Sequence, residues 1–127
     1  MNQRLPDVYG LQVFLVEDDS LIALMIKDML AELGCTVVGE AHSIAEALSW
    51  AEMMPAVDLA ILDVNIKGEV ILPVADMFTR RQVPLVFSTG YGTTDLLQLY
   101  PGSQLLAKPY GPDALAQALA SFSQTRH

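Results

Sequence analysis

Cysteine is nearly absent from this sequence. Cys35 stands alone, which excludes an internal disulfide and a cysteine-based zinc cluster; it reads as a small buried hydrophobe. Basic residues are scarce too: 7 Lys and Arg against 15 Asp and Glu give a net charge of −8, and only Arg80 and Arg81 adjoin. A phosphate backbone needs a Lys/Arg surface, so nucleic acid is excluded as a partner. Long apolar runs are also missing. Nothing approaches the roughly eighteen residues that cross a bilayer, and Pro6 and Asp7 fall where a signal peptide needs its apolar core. No membrane association is expected, and a cytoplasmic location is. Charged residues make up only 17% of the chain against 52% apolar. That is a globular composition, and it leaves apolar surface for a protein partner or for a second copy of the chain.

At 127 residues the chain is long enough for one core and too short for two. It holds no internal repeat and no low-complexity linker. The pattern divides into a leader over residues 1–10, a domain over 11–123 and a tail over 124–127. The organising stretch is Leu59-Ala60-Ile61-Leu62-Asp63-Val64-Asn65, an apolar run that meets a carboxylate just before the turn at Gly68. Too short for a helix, it reads as a strand buried on both faces. Similar runs fall at Gln12–Val16, Thr36–Glu40, Pro84–Thr89 and Gln104–Ala107.

Helical stripes separate them. Ser20 is an expected N-cap for a helix whose stripe runs through Ile22, Met25, Met29 and Leu33, beside Ile26 and Leu30, and ends at Gly34. Ser43, with Glu46 at capping-box spacing, starts a second helix through Met53, with Ile44, Ala47, Leu48 and Ala51 inward and Trp50 half-buried. A third is expected from Val70 to Arg80 with Pro73 in its first turn, a weak one over Asp95–Tyr100, and a last over 112–123 on Leu115, Ala118, Leu119 and Phe122. Five strands alternating with five helices predict an α/β fold, a doubly wound parallel sheet with helices on both faces.

In such a sheet the carboxyl ends of the strands share one edge, where ligands bind. Four chemical features fall there: Glu17-Asp18, Asp63, Thr89 and Lys108. Alone, each has an ordinary reading as a turn residue, a helix start favoured by the dipole, a strand-end hydroxyl or a surface charge. Together they converge. Three crowded carboxylates need cationic compensation; Lys108 offsets one, and a hard divalent ion, Mg²⁺ first, suits the remaining oxygen ligands. Such a site can neutralise an incoming phosphoryl group, with Lys108 and the Thr89 hydroxyl on its oxygens and a carboxylate as nucleophile. Asp19 reads as a capping or supporting residue, and Tyr91 and Tyr110 as packing around the mouth. His42 has no second histidine nearby. The Gly34 to Gly39 spacing mimics a phosphate loop, but Glu40-Ala41 replaces the required Lys-Ser/Thr.

With these residues in view the chain resembles a response-regulator receiver domain from Leu11 to Phe122. The matching residues are Val16-Glu17-Asp18-Asp19, Asp63 as phosphoacceptor, Thr89 as switch residue and Lys108-Pro109-Tyr110. Pro84-Leu85-Val86-Phe87-Ser88-Thr89-Gly90-Tyr91 is similar to the subgroup named FAT GUY, with Ser88 in place of its alanine and Leu85 in place of its usual phenylalanine. The resemblance implies a sheet order of 2-1-3-4-5, Asp18 and Asp63 as direct Mg²⁺ ligands, Glu17 acting through water, the Asn65 main-chain carbonyl completing the metal site, and a cis Lys108-Pro109 bond. It also implies a histidine kinase as phosphoryl donor and slow self-dephosphorylation. Leu105 stands where many receivers carry an aromatic, the loop after Asp63 is short, and Gly90 to Tyr100 is a candidate order–disorder element.

The expected function is a stand-alone phosphoryl-accepting switch acting through protein contacts or as a phosphate sink, since the pattern leaves no room for an output domain. A pseudo-receiver binding module, supported only by Leu105, is the first alternative. A small aspartyl phosphatase is the second, but Asp63-Val64-Asn65 gives only Asp-x-Asn on the third strand and no general acid for turnover accompanies it.

Overall fold

The computed structural model describes residues 7–90 and 95–123. Each apolar run of the sequence becomes a strand: β1 (Gln12–Val16), β2 (Thr36–Ala41), β3 (Leu59–Asp63), β6 (Leu85–Thr89) and β7 (Gln104–Ala107), with β4 (Asn65–Ile66) and β5 (Glu69–Val70) forming a small hairpin after β3. The five long strands make one sheet in the order β2-β1-β3-β6-β7, and every pairing in it is parallel. With the hairpin set aside this is the expected 2-1-3-4-5 order, a flavodoxin-like sheet with β3 at its centre. All five residues of β3 are buried, as a strand covered on both faces requires.

The helices are α1 (Ser20–Glu32), α2 (Ile44–Ser49), α3 (Leu72–Arg80), α4 (Asp95–Leu99) and α5 (Pro112–Ser123). They divide the core in two. On one face Val13, Leu15, Leu59, Ile61, Val86 and Leu106 pack against α1 and α5. On the other, Phe14, Val16, Ala60, Leu62 and Phe87 pack against α2, α3 and Leu96 of α4. Alternation along each strand produces this split. Leu115, Ala118, Leu119 and Phe122 all point inward from α5 and Cys35 is buried, as the pattern predicts.

Four local expectations are corrected. Asp19, not Ser20, caps α1, its carboxylate accepting from Leu21 N and Ile22 N; a carboxylate at this place also answers the helix dipole. The buried stripe of α1 is Ala23, Ile26 and Leu30, while Met25 is 56% exposed. A helix apolar on most sides does not fix its own rotation, and small Ala23 lets the backbone approach the sheet. α2 stops at Ser49 and continues as a 3₁₀ turn over Trp50–Glu52. The tightening carries Trp50 onto Phe14, edge to face at 5.3 Å, and leaves Leu48 exposed. Finally, Val70 belongs to the hairpin and not to α3. Lys67 and Gly68 have φ of 53° and 84°, the paired positive values of a two-residue hairpin turn, and Ile71 N donates to Val64 O at 2.9 Å to close it. Pro73 does sit in the first turn of α3.

Candidate functional site

The carboxyl edge of the sheet carries the chemistry. Backbone bonds extend the ladders past the strand ends: Glu17 N donates to Ala41 O, Val64 N to Ser88 O and Lys108 N to Thr89 O, at 3.1, 3.0 and 2.7 Å. The residues that follow β1, β3 and β7 are therefore held in the ladder, not on free loops. Carboxylate oxygens of Glu17, Asp18 and Asp63 lie within 4.8 Å of one another. The Lys108 ammonium bridges two of them, 3.1 Å from Glu17 Oε1 and 3.1 Å from Asp63 Oδ2. Thr89 closes β6 and is buried.

Glu17 is 1% exposed and Asp63 7%, so little water screens the pair. Burial, reinforced by the facing Asp63 carboxyl, pushes Glu17 up to about 7. Asp18, nearer the surface, goes the other way: burial works upward, but the Lys67 N–H and Glu17 outweigh it and hold the carboxyl below the usual aspartate range. Burial likewise works against the Lys108 ammonium, and its bonds to Glu17 and Asp63 overcome it and raise its pKa. One ammonium does not balance three carboxylates. An all-oxygen cluster with surplus negative charge fits a hard cation such as Mg²⁺.

The sequence-derived candidates fall in three groups. Glu17, Asp18, Asp63 and Lys108 come together. Asn65 adjoins them: its N–H donates to Asp63 Oδ1 at 3.2 Å and its side-chain oxygen accepts from Gly68 N at 3.0 Å. Asp19 caps α1 and donates its N–H to Glu17 Oε2 at 3.1 Å, joining the cap to the site. Gly90 follows β6 and is exposed, Leu105 is half-buried opposite Phe87 in the β6–β7 register, and the Lys108-Pro109 bond is cis. Tyr91 lies outside the described residues.

Two contributors were missed. Lys67 N donates to Asp18 Oδ2 at 2.8 Å, so the hairpin turn is clasped onto the acidic pair; a main-chain donor leaves no residue-type signal. His42, read as an isolated loop residue, sets Nδ1 3.0 Å from Glu17 O and Nε2 3.3 Å from Glu40. The parallel β1–β2 register could have found it, because the residue after β2 must lie beside the residue after β1.

Two acidic residues, a third carboxylate and a bridging lysine thus share one strand-end edge of a flavodoxin-like sheet. The sequence pattern of the response regulator receiver domain matches residues 13–120; the chain belongs to that family. It is 30% identical over 112 residues to the transcriptional regulatory protein PdtaR of Mycobacterium tuberculosis, covering 85% of this chain and 54% of that protein. The chain thus spans about half the length of this curated relative. SdrG of Sphingomonas melonis Fr1, known from a solution structure, shares 39% identity with a TM-score of 0.74, over 90% of this chain and 97% of that one. The receiver domain of sensor histidine kinase PA1611 from Pseudomonas aeruginosa PAO1, solved with a magnesium ion in its active-site cleft, superposes with a TM-score of 0.76 at 21% identity, over 91% and 99% of the two chains; at that identity the likeness concerns the fold. Among the described residues no helix is long and apolar enough to cross a membrane.

Proposed function

We propose that the chain is a phosphoryl-accepting switch centred on Asp63, with a histidine kinase as donor. The observation that carries this reading is the Lys108 ammonium held 3.1 Å from Asp63 Oδ2, beside a carboxylate cluster that suits Mg²⁺. In the reaction an Asp63 carboxylate oxygen forms the new O–P bond while the N–P bond of a phosphohistidine breaks, its electrons remaining on the imidazole. Mg²⁺ would be held by Asp18, Asp63 and the Asn65 carbonyl, with Glu17 acting through water, and supplies charge neutralisation for the transferring group. Lys108 takes a phosphoryl oxygen in place of one of the two carboxylates it now bonds, and the Thr89 hydroxyl takes another.

The product puts a dianionic phosphoryl group where the Asp63 carboxylate carried one charge, a net gain of about one negative charge at the rim, which biases the segment from Thr89 through α4. Gly90, Tyr91 and Leu105 belong to that switch region, and Pro109 fixes the Lys108 loop. The run Phe87-Ser88-Thr89-Gly90-Tyr91 supports placement in the FAT GUY subgroup. Output then passes through contacts with a downstream protein or a second copy, or the chain drains phosphoryl groups from its kinase.

Intact-mass measurement with Mg²⁺ and acetyl phosphate tests this. A gain of roughly 80 Da, one phosphoryl group, is expected in the wild type and absent from Asp63→Asn and from a metal-free sample. No adduct from acetyl phosphate or from a phosphorylated kinase would leave a binding module in its place.

A further inference from the structure

Among the described residues three buried side-chain oxygens lack a hydrogen-bond partner: Ser88 Oγ, Ser103 Oγ and Tyr110 Oη. Ser103 stands apart, before β7. The other two converge below the acidic cluster. Ser88 is 1% exposed, and its register partners are Asp63 on one side and Leu106 on the other. Two residues on from Val86, it faces the core of α1 and α5. Tyr110 packs against that same core, two residues after Lys108, and lines a small cavity of about 120 Å³ with Ile22, Met25, Ile26, Met29, Lys108 and Pro109.

Burial pushes the Tyr110 phenol up, while the Ser88 hydroxyl and Lys108 pull it down. The two hydroxyls therefore feel one another electrostatically without reaching hydrogen-bond geometry. A buried hydroxyl with no partner is costly, and two adjacent ones remove the cost together by a small rotation of one side chain.

We propose that Ser88 and Tyr110 form a buried hydroxyl pair that positions Lys108 against Asp63. The phenol O–H donates and the serine oxygen accepts. The bond ties β6, beside Asp63, to the short Lys108-Pro109-Tyr110 segment, and so restricts where the ammonium can lie. Both are positioning residues: neither bonds the carboxylates. The tie stands on two unpartnered buried hydroxyls that face one core, whereas its consequence for phosphorylation rests on the function proposed above.

The two parts are tested separately in the full chain. By NMR, the Tyr110 hydroxyl proton is expected to exchange slowly with water in the wild type, to exchange fast in Ser88→Ala and to slow again in Ser88→Thr, which restores an acceptor. An exchange rate that ignores Ser88→Ala overturns the pair. Urea melts of Ser88→Ala, Tyr110→Phe and the double variant decide it again: a double variant no less stable than the worse single supports the pair, and additive losses overturn it. With acetyl phosphate, both singles are expected to slow labelling roughly threefold to tenfold with no further loss in the double. Unchanged labelling in a labelling-competent wild type overturns the positioning of Lys108. A wild type that takes no label overturns the phosphoryl reading and leaves the exchange and urea results to decide the pair.

Discussion

The two faces of the sheet are built on different terms. By alternation, Glu17, Asp63 and Ser88 belong with the α1/α5 face, where ionic and hydroxyl groups sit at the top of a largely aliphatic core that also holds Phe122. The opposite face is aromatic: Phe14 meets Trp50 and Phe78 at 5.3 and 5.4 Å, and Phe87 meets Tyr100 at 5.5 Å. Of the acidic cluster only Asp18, past the end of β1, continues the alternation of this face, which seats Leu96, the one buried residue of α4. On the function proposed above, chemistry would take place over one face while the short helix that responds rests on the other. Ser88 and Thr89, adjacent on β6, point to opposite faces. On the function proposed above, that step is where an event at Asp63 would cross the sheet.

If the faces divide the work in this way, damage to each should read out differently. Phe14→Ala opens a cavity in the aromatic face, and a loss of about 3–5 kcal/mol in stability is expected by urea or thermal melts. Phosphoryl labelling below the new melting point should persist. Lys108→Ala has the reverse profile: labelling from acetyl phosphate falls about a hundredfold, as when one charge-stabilising donor is removed, while the aromatic core is untouched. Labelling lost in Phe14→Ala while it remains folded would contradict the division.

Glu17 gives a pH signature to the charged face alone. Its folded pKa of about 7 lies above the ordinary 4.5, so the folded chain holds this proton more tightly than the unfolded one. The stabilisation is complete below about 4.5 and is lost as the pH rises through 7. Lys108, raised, and Asp18, lowered, act outside that window. Metal-free wild type is therefore expected to melt lower at pH 8 than at pH 5 by more than Glu17→Gln does, since glutamine keeps the neutral form throughout. Mg²⁺, which needs the ionised carboxylate, should narrow the difference. Equal slopes for the two proteins would remove Glu17 as its source.

How legible all this was depended on where the information resides. The strands, their alternation with helices and the convergence at one edge could be read because apolar runs ending in Asp or Lys are a property of residue type. The rotation of α1 could not: Met25 and Ile26 are equally apolar, and only Ala23 at the close approach separates them. The hairpin after Asp63 was hidden because Lys67 adopts a positive φ that its side chain does not advertise, and with it went the Asp18 clasp. Ser88 was visible only as a departure from a motif; its proposed partner Tyr110, 22 positions on by number, follows β7, the strand that the parallel ladder sets beside Ser88.

The smallest effect probes α4. Five residues cannot hold a helix in water on their own, so α4 (Asp95–Leu99) depends on its contacts. One is Leu96. Another follows its last residue: the Tyr100 hydroxyl donates to Asp76 on α3 at 2.6 Å while its ring rests on Phe87. Burial, then this bond, push the phenol up to about 12, so the tie holds across the working pH range. Tyr100→Phe keeps the ring contact and deletes the bond. Because Asp76 is exposed and regains water, global stability should fall by only about 0.5–1.5 kcal/mol. Amide exchange over residues 95–99 should quicken more than exchange in α3 or α5, because the tie anchors only that end. If α4 exchange does not change, Leu96 alone holds the helix, and the aromatic face controls α4 through packing without the Tyr100–Asp76 bond.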